Sequence, residues 1–204
     1  MNNHPFAKTI WDKLNAGIKN EIGVAALMGN LRAESGLYPY RLQGDFSNGY
    51  QTSLDYTARV DNGSIPEYDF VNNGPNGGGY GLAQWTFWSR KQNLYNRFKS
   101  GGYDSIGSVD LACDFLLWEL EHGYTAVWNA LVNATNIRSA SDVVLHQFEN
   151  PADQSESVEI LRAQLGTEVY NAFSGSEPIE PDTPTNHINK RLSKLLLMAM
   201  AIDE

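Results

Sequence analysis

Apolar residues recur every three or four positions over most of the chain, and this spacing predicts a mainly helical protein. The first predicted helix starts near Pro5, with Asn3 or His4 as its N-cap, and ends near residues 16–17. Its apolar face carries Phe6, Ile10 and Leu14.

The second predicted helix spans about residues 21–35, with Asn20 as its N-cap and Gly36 as its C-terminal stop. A capping box at Ser139–Asp142 is expected to open a helix that ends near Phe148. The last helix carries its apolar residues at Ile160, Leu161, Leu165 and Val169. The later predicted helices cover about residues 89–100, 108–122, 125–133, 139–148 and 155–173.

Periodicity is lost between residues 37 and 79, where Gly, Asn, Asp, Tyr and Pro are frequent. These residue types favour turns, so we expect turns and at most one short β-hairpin in this insert. A compact domain seldom keeps a structureless segment of about forty residues unless the segment has a function. The predicted fold class is therefore mainly α, or α+β if the hairpin forms, with a long polar insert.

The composition changes at Ser174. Residues 174–186 contain prolines and acids but no base, which is typical of an extended linker. We therefore expect a globular domain over residues 1–173 and a helical, basic-apolar tail over residues 187–204. The tail could contact a partner or a membrane surface, but it is too short to span a bilayer.

Charge and composition exclude several classes of protein. There are 15 basic and 24 acidic residues, a formal net charge of −9, and no basic cluster precedes residue 190, so we expect no nucleic-acid partner. The single Cys113 excludes an intrachain disulfide framework, and the four histidines are scattered, so we expect no metal and no cofactor. No apolar run is long enough for a membrane span, and the N-terminal residues show no signal-peptide pattern.

Glu34 is the first candidate for chemistry, because it lies on an apolar helix face. The residues spaced three, four and three apart on this face are Val24, Leu27, Leu31 and Glu34. Desolvation and the negative end of the helix dipole both disfavour a charged carboxylate there, as a general acid requires. The alternative is that Glu34 pairs with Arg32, Arg41 or another base.

A glycine-rich segment, Gly77-Gly-Gly-Tyr-Gly-Leu-Ala-Gln-Trp85, forms the second candidate site. Glycines allow a ligand to approach the backbone closely, and the amide of Gln84 offers both donors and an acceptor. Sugar rings could stack on the flat faces of Tyr80, Trp85 and Trp88. The context matches neither a P-loop nor a dinucleotide-binding fingerprint. The alternative is a mobile turn followed by core aromatics.

Together these two segments resemble the phage tail lysozyme family, lysozyme-like domains in tail-tip proteins and endolysins of phages that infect Gram-positive bacteria. The resemblance covers roughly residues 16–173 and rests on four segments in the family's order. These are Asn30-Leu-Arg-Ala-Glu-Ser-Gly36, Tyr56-Thr-Ala-Arg-Val-Asp-Asn-Gly63, Gly79-Tyr-Gly-Leu-Ala-Gln-Trp-Thr86 and Phe148-Glu-Asn-Pro-Ala-Asp153.

The resemblance implies a goose-type or transglycosylase-like lysozyme fold. It also implies cleavage of the β-1,4 bond between the N-acetylmuramic acid and N-acetylglucosamine units of peptidoglycan glycan strands. The family's general acid falls on Glu34. The residues expected to bind the glycan are Tyr80, Gly81, Gln84 and Trp85. The implied setting is a phage- or prophage-encoded protein that acts on the bacterial wall, released through a holin or carried in the virion.

Hydrolysis of a glycosidic bond usually needs a second carboxylate. We favour Asp61, whose alternative role is to cap a turn, and then Asp55. The other acids of the insert are Asp45, Glu67 and Asp69. Glu149 could also reach the cleft, but we expect it to pair with a base at a helix end. A lytic transglycosylase with the same Glu34 needs no such base, and a catalytically silent wall-binding module of the virion is a third hypothesis.

Overall fold

The structure is a computed structural model that describes residues 1–44, 49–72 and 78–181, with backbone only at 49–51. The described residues are mainly helical, and their only β-pairing is two isolated antiparallel bridges, Leu42–Tyr80 and Tyr80–Trp85. The predicted, mainly α fold class is therefore confirmed. In chain order the helices are α1 (Ala7–Ile18), α2 (Glu21–Ser35), α3 (Gly49–Asp61), α4 (Glu67–Asn72), α5 (Trp88–Ser100), α6 (Val109–Gly123), α7 (Thr125–Val132), α8 (Ile137–Val144) and α9 (Glu156–Phe173).

Helix α2 has the predicted bounds because its caps are encoded locally. The side chain of Asn20 accepts hydrogen bonds from the backbone N–H groups of Ile22 and Gly23, and Gly36 ends the helix with a left-handed φ of 63°. Helix α1 is capped by Nδ1 of His4. It continues to Ile18, slightly beyond the predicted end.

Helix α2 is the centre of the domain, because α1, α7, α8 and α9 all pack against it. Its most extensive contact is with α9, where two glycines let the backbones approach closely. A Cβ on Gly29 would lie 2.4 Å from the carbonyl oxygen of Arg162, and one on Gly166 would lie 2.8 Å from that of Ala25. Neither position has room for a side chain.

The described part of the insert forms helices α3 and α4, so the expectation of turns with a β-hairpin is wrong for this part. The buried face of α3 explains why periodicity missed it, since it combines Val60 with the polar residues Ser53 and Thr57. The hydroxyl of Ser53 accepts from the backbone N–H of Leu42. Buried hydroxyls that are hydrogen-bonded are well tolerated in a core, but they do not register as an apolar stripe.

A π-helical turn, Leu145–Glu149, continues α8. The predicted capping box at Ser139 is wrong, because α8 begins two residues earlier and Asn136 caps it by accepting from the backbone N–H of Ser139. After α9, the backbone N–H and C=O of Ile179 both bond to the side chain of Asn171. The predicted tail, residues 187–204, lies outside the described residues, within which no helix is long and apolar enough to cross a membrane.

Candidate active site

Glu34 lies in the last turn of α2, where the buried face of the helix reaches the surface. Val24, Leu27 and Leu31 on the same face are completely buried, whereas the side chain of Glu34 keeps 21% of its surface exposed. The predicted stripe is therefore present, and it ends in a carboxylate that is partly open to solvent.

The partner of Glu34 is Arg162 of α9, which donates to it from Nη2. The guanidinium is only 6% exposed, and its Nη1 donates to the side-chain oxygen of Asn30 at 3.2 Å. Asn30 is itself held by the hydroxyl of Ser141 at 2.9 Å. The alternative in which Glu34 pairs with a base thus describes the structure, and the base is one that sequence reasoning did not name. The only sequence signal for Arg162 was a basic residue within the last predicted helix, residues 155–173. That this helix packs on α2 is seen only in the structure.

A cleft of about 430 Å³ opens beside Glu34. Its walls come from the end of α2, the segment 83–90 and the residues around Glu149. The described residues that line it are Ala33, Glu34, Gln43, Ala83, Gln84, Thr86, Phe87, Arg90, Glu149, Pro151 and Ala152. The first, third and fourth resemblance segments therefore meet at one cleft.

The glycine-rich segment forms a tight turn, residues 79–86, that we call the motif turn. The backbone N–H of Tyr80 donates to the carbonyl oxygen of Trp85, and that of Trp85 donates to the carbonyl oxygen of Tyr80. Gly81 between them has a left-handed φ of 82°. The side-chain nitrogen of Gln84 donates to the carbonyl oxygens of Gly81 and Arg41 at 2.9 and 3.0 Å. The amide predicted to bind sugar therefore also holds the turn closed, while the residue lines the cleft.

Tyr80 and Trp85 do not face the cleft, which corrects the expectation that they bind glycan. Tyr80 is 1% exposed and its hydroxyl bonds to Thr57 at 2.7 Å. Trp85 is fully buried and its Nε1 donates to the buried Glu119 at 2.8 Å. Gly81 is buried as well. These residues shape the motif turn from inside the core, as the alternative interpretation held.

The aromatic side chains that do face solvent follow the motif turn directly. Phe87 lines the cleft and is 71% exposed, and Trp88 beside it is also exposed. Large exposed aromatic faces of this kind are typical of ligand-binding surfaces. Phe87 was not singled out from the sequence, because its phenyl ring has no polar edge.

Asp61 and Asp55 are not among the residues that line the cleft. The carboxylate of Asp61 accepts from the hydroxyl of Ser105 at 2.7 Å and from the backbone N–H of Ile106 at 2.8 Å. Asp61 therefore ties the end of α3 to the loop before α6. Asp55 is exposed on α3. Asp45 lies outside the described residues.

Glu149 lines the cleft with Glu34, which corrects the expectation that it pairs with a base. Its Oε1 is buried and has no hydrogen-bond partner. Burial, with the charge of Glu34 adding to it, raises the pKa of Glu149 to about 8, against the opposing effect of Arg90 and Arg162. A carboxyl group with such a pKa is protonated at neutral pH.

Arg90 lines the same cleft as Glu149. Its guanidinium donates to the carboxylate of Glu119 from Nε and Nη2 at 2.7 and 2.8 Å. It lies 4.7 Å from the ring centre of Phe148. This charge is thus already engaged by Glu119. Within the described residues, no group of histidine, cysteine and acidic side chains could hold a metal ion.

Comparison with known proteins identifies a family for the chain. No curated protein and no solved structure gives a significant match to the chain. A model of the family described as phage tail lysozyme matches residues 6–173, which extends the resemblance noted above toward the N-terminus. The chain therefore belongs to the phage tail lysozyme family, which places it among the lysozyme-like proteins that lyse peptidoglycan.

Proposed function

We propose that the protein is a muramidase that hydrolyses the β-1,4 bond between N-acetylmuramic acid and N-acetylglucosamine, with Glu34 as the general acid. The observation that carries this proposal is that Glu34 lines the same cleft as residues of the motif turn. Family membership supports the substrate class. The acid, the turn and the exposed Phe87 together suit a glycan strand.

The glycan is proposed to lie along Gln84, Thr86 and Phe87, all of which line the cleft. The ring of Phe87 offers an apolar face to a sugar, while Gln84 and Thr86 offer polar groups to hydroxyl and acetamido substituents. A strand held in this way brings its glycosidic oxygen to Glu34. Correct placement of the reacting atoms is itself a large part of catalysis.

Glu34 then donates a proton to the glycosidic oxygen as the C1–O bond breaks, and positive charge develops on the sugar ring. Arg162 donates to the carboxyl group and holds it in one orientation, and Asn30 in turn accepts from Arg162. Water adds to C1, and the proton that it loses is taken up by a carboxylate of the cleft, which completes the hydrolysis. A lytic transglycosylase would use the same acid, but its product would be a 1,6-anhydro sugar, because a hydroxyl of the substrate attacks in place of water.

The proposal is tested by digesting purified cell walls with the wild-type protein and E34Q, and by mass spectrometry of the fragments. We expect reducing N-acetylmuramic acid ends from the wild type. For E34Q we expect a rate at least roughly 100-fold lower, because a positioned general acid contributes about 10²–10⁴-fold. E121Q is the matched control, since Glu121 is exposed on α6, away from the cleft.

Three results would contradict the proposal in different ways. Anhydro ends would assign the protein to the transglycosylases, and near-wild-type lysis by E34Q would remove Glu34 from the mechanism. Wild-type protein that binds walls without releasing fragments would be a silent binding module. An unchanged far-UV circular dichroism spectrum of E34Q excludes unfolding as the cause of a loss.

A further inference from the structure

We propose that Glu149 is the second catalytic carboxylate of the cleft and shares with Glu34 the single proton that glycosidic cleavage consumes. This inference rests on the muramidase activity proposed above and adds to it the residue that returns the proton from water. It replaces Asp61 and Asp55, which do not line the cleft.

The backbone brings Glu149 to the cleft through the π-helical turn at the end of α8. The backbone N–H of Asn150 donates to the carbonyl oxygen of Leu145, five residues earlier, at 2.8 Å. Asn150 then takes a left-handed φ of 45° and ends the helix. π-helical turns within helices occur frequently at functional sites, because the extra residue redirects a side chain. Here the redirected residue is Glu149, and Pro151 and Ala152 after it continue the same wall.

The charged groups around Glu149 come from four helices. Glu34 of α2 and Glu119 of α6 disfavour a second negative charge, and Arg90 of α5 and Arg162 of α9 favour one. Arg90 is engaged by Glu119, and the two terminal nitrogens of Arg162 are engaged by Asn30 and Glu34. The Nε of Arg162 is buried and has no partner among the described residues.

No described residue donates to Oε1 of Glu149, which is buried. An ionised carboxylate with a buried, unpaired oxygen is costly, whereas a neutral carboxylic acid is tolerated better. The surroundings therefore favour the protonated form, in line with the raised pKa of about 8.

Two carboxyl groups that sense each other's charge release their protons in two separate steps that belong to the pair. Near neutral pH Glu149 then holds a proton in the same cleft as Glu34. An enzyme that protonates a leaving group at neutral pH needs such a stored proton, and aspartic proteases show that two acids in one site can hold it.

The proposed cycle is balanced in protons and electrons. The shared proton is donated through Glu34 to the glycosidic oxygen, which keeps the electron pair of the broken C1–O bond. Both carboxylates are then charged and face the electron-poor sugar ring. Water donates a lone pair to C1 and gives one proton to Glu149, so the pair again holds one proton. No other reactant is required.

The test compares the wild type, E149Q and the control E121Q in two measurements between pH 4 and pH 10. The first is the rate of fragment release from purified walls. We expect the wild-type rate to fall above about pH 8, where the pair loses its proton. E149Q should be roughly 100-fold slower at pH 7. Its remaining activity should be confined to more acidic pH, because the group that keeps the proton at neutral pH is absent.

The second measurement is the melting temperature over the same range, which does not depend on activity. The raised pKa of Glu149 means that the wild type loses stability as pH rises from the ordinary glutamate range, near 4.5, to about 8. E149Q does not undergo this loss. Its melting temperature relative to the wild type should therefore increase across that interval, while that of E121Q should not.

An E149Q rate close to the wild type would overturn the inference but leave the muramidase proposal standing. A slower E149Q rate with an unchanged alkaline limit would also overturn the inference, since a purely structural role predicts that result. A melting-temperature difference between E149Q and the wild type that is independent of pH would overturn it as well. Failure of the wild type to digest walls would instead reject the muramidase proposal.

Discussion

Two parts of the cleft wall, the end of α2 and the motif turn, use their motif residues in opposite ways. At the end of α2, Glu34 of the family motif lines the cleft, and the buried Arg162 of α9 holds it. On the motif-turn wall, the most prominent motif residues, Tyr80 and Trp85, point into the core. The cleft surface there is left to Gln84, Thr86 and Phe87.

The difference shows that residues of one motif divide into those that line the cleft and those that are buried behind it. Glu34 can be exposed because the helix under it is packed on all sides. The motif turn is not itself helical, and its large aromatic side chains anchor it to helices α3 and α6 through buried contacts with Thr57 and Glu119. Aromatic character alone therefore does not identify a sugar-binding residue.

Among variants that test this comparison, the largest effect should come from R162M, which removes the arginine that holds Glu34. We expect the rate of wall digestion to fall roughly 10–100-fold, because Glu34 loses its orientation. The free energy of unfolding should fall by about 2–4 kcal/mol, since Glu34 and Asn30 lose a buried partner. Because Arg162 lowers the pKa of Glu149, the alkaline limit of activity should move to higher pH.

R138M is the matched control for this variant. Arg138 also pairs with acids while largely buried, but it does not line the cleft. It should lower stability in urea unfolding and leave the pH profile of the rate unchanged. A wild-type rate and profile for R162M would mean that the arginine contributes to folding alone.

A smaller effect is expected from G29A, which separates the same two helices without altering any charge. The new Cβ would lie 2.4 Å from the carbonyl oxygen of Arg162 and 2.6 Å from the backbone nitrogen of Gly166. We expect the free energy of unfolding to fall by about 1–3 kcal/mol from overpacking, even after the gain in helix propensity of about 1 kcal/mol.

The control for G29A is G123A in α6, where an added Cβ meets open space. Chemical unfolding should find it as stable as the wild type or slightly more so. Equal stability of G29A and the wild type would show that α2 and α9 do not need the close approach.

The smallest effect is expected from W85F, which tests the motif-turn wall. Loss of the hydrogen bond from Nε1 to Glu119 should lower the free energy of unfolding by about 1–2 kcal/mol. The KM for soluble glycan fragments should stay unchanged, because the indole is fully buried. F87A is the opposite case and should raise KM without lowering stability. A higher KM for W85F than for F87A would contradict this prediction and would indicate that Trp85 contacts the glycan.

The sequence predicted the bounds of α2 and the position of Glu34 in its last turn well, because both depend on local signals. Asn20 and Gly36 each act on neighbouring residues at one end of the helix, and together with the apolar stripe they place Glu34 in its last turn. The assignment of α9 was less accurate. Leu161 was expected on its apolar face but is 50% exposed, whereas Arg162 beside it is buried. A charged side chain enters a core only where another element supplies its partners.

The insert and the second carboxylate depended on contacts that lie far apart in the sequence. Helix α3 was not predicted because its buried positions Ser53 and Thr57 are polar, and their hydrogen-bond partners come from other segments. From the sequence, Glu149 was expected to pair with a basic residue at a helix end, because a π-helical turn leaves no clear periodic signal. Its burial and its proximity to Glu34 exist only after α2, α5 and α9 have packed together.

By itself, the sequence determined a mainly helical domain of the phage tail lysozyme family with a glutamate at the end of its central helix. Helix caps, apolar stripes and motif order are properties of neighbouring residues, so they can be recognised without the fold. Only the tertiary structure decided that Arg162 holds Glu34, that Tyr80 and Trp85 are core residues, and that Glu149 lines the cleft in place of Asp61. Burial and electrostatic surroundings arise from residues more than one hundred positions apart in the chain, as with Glu34 and Arg162, and packing alone brings them together.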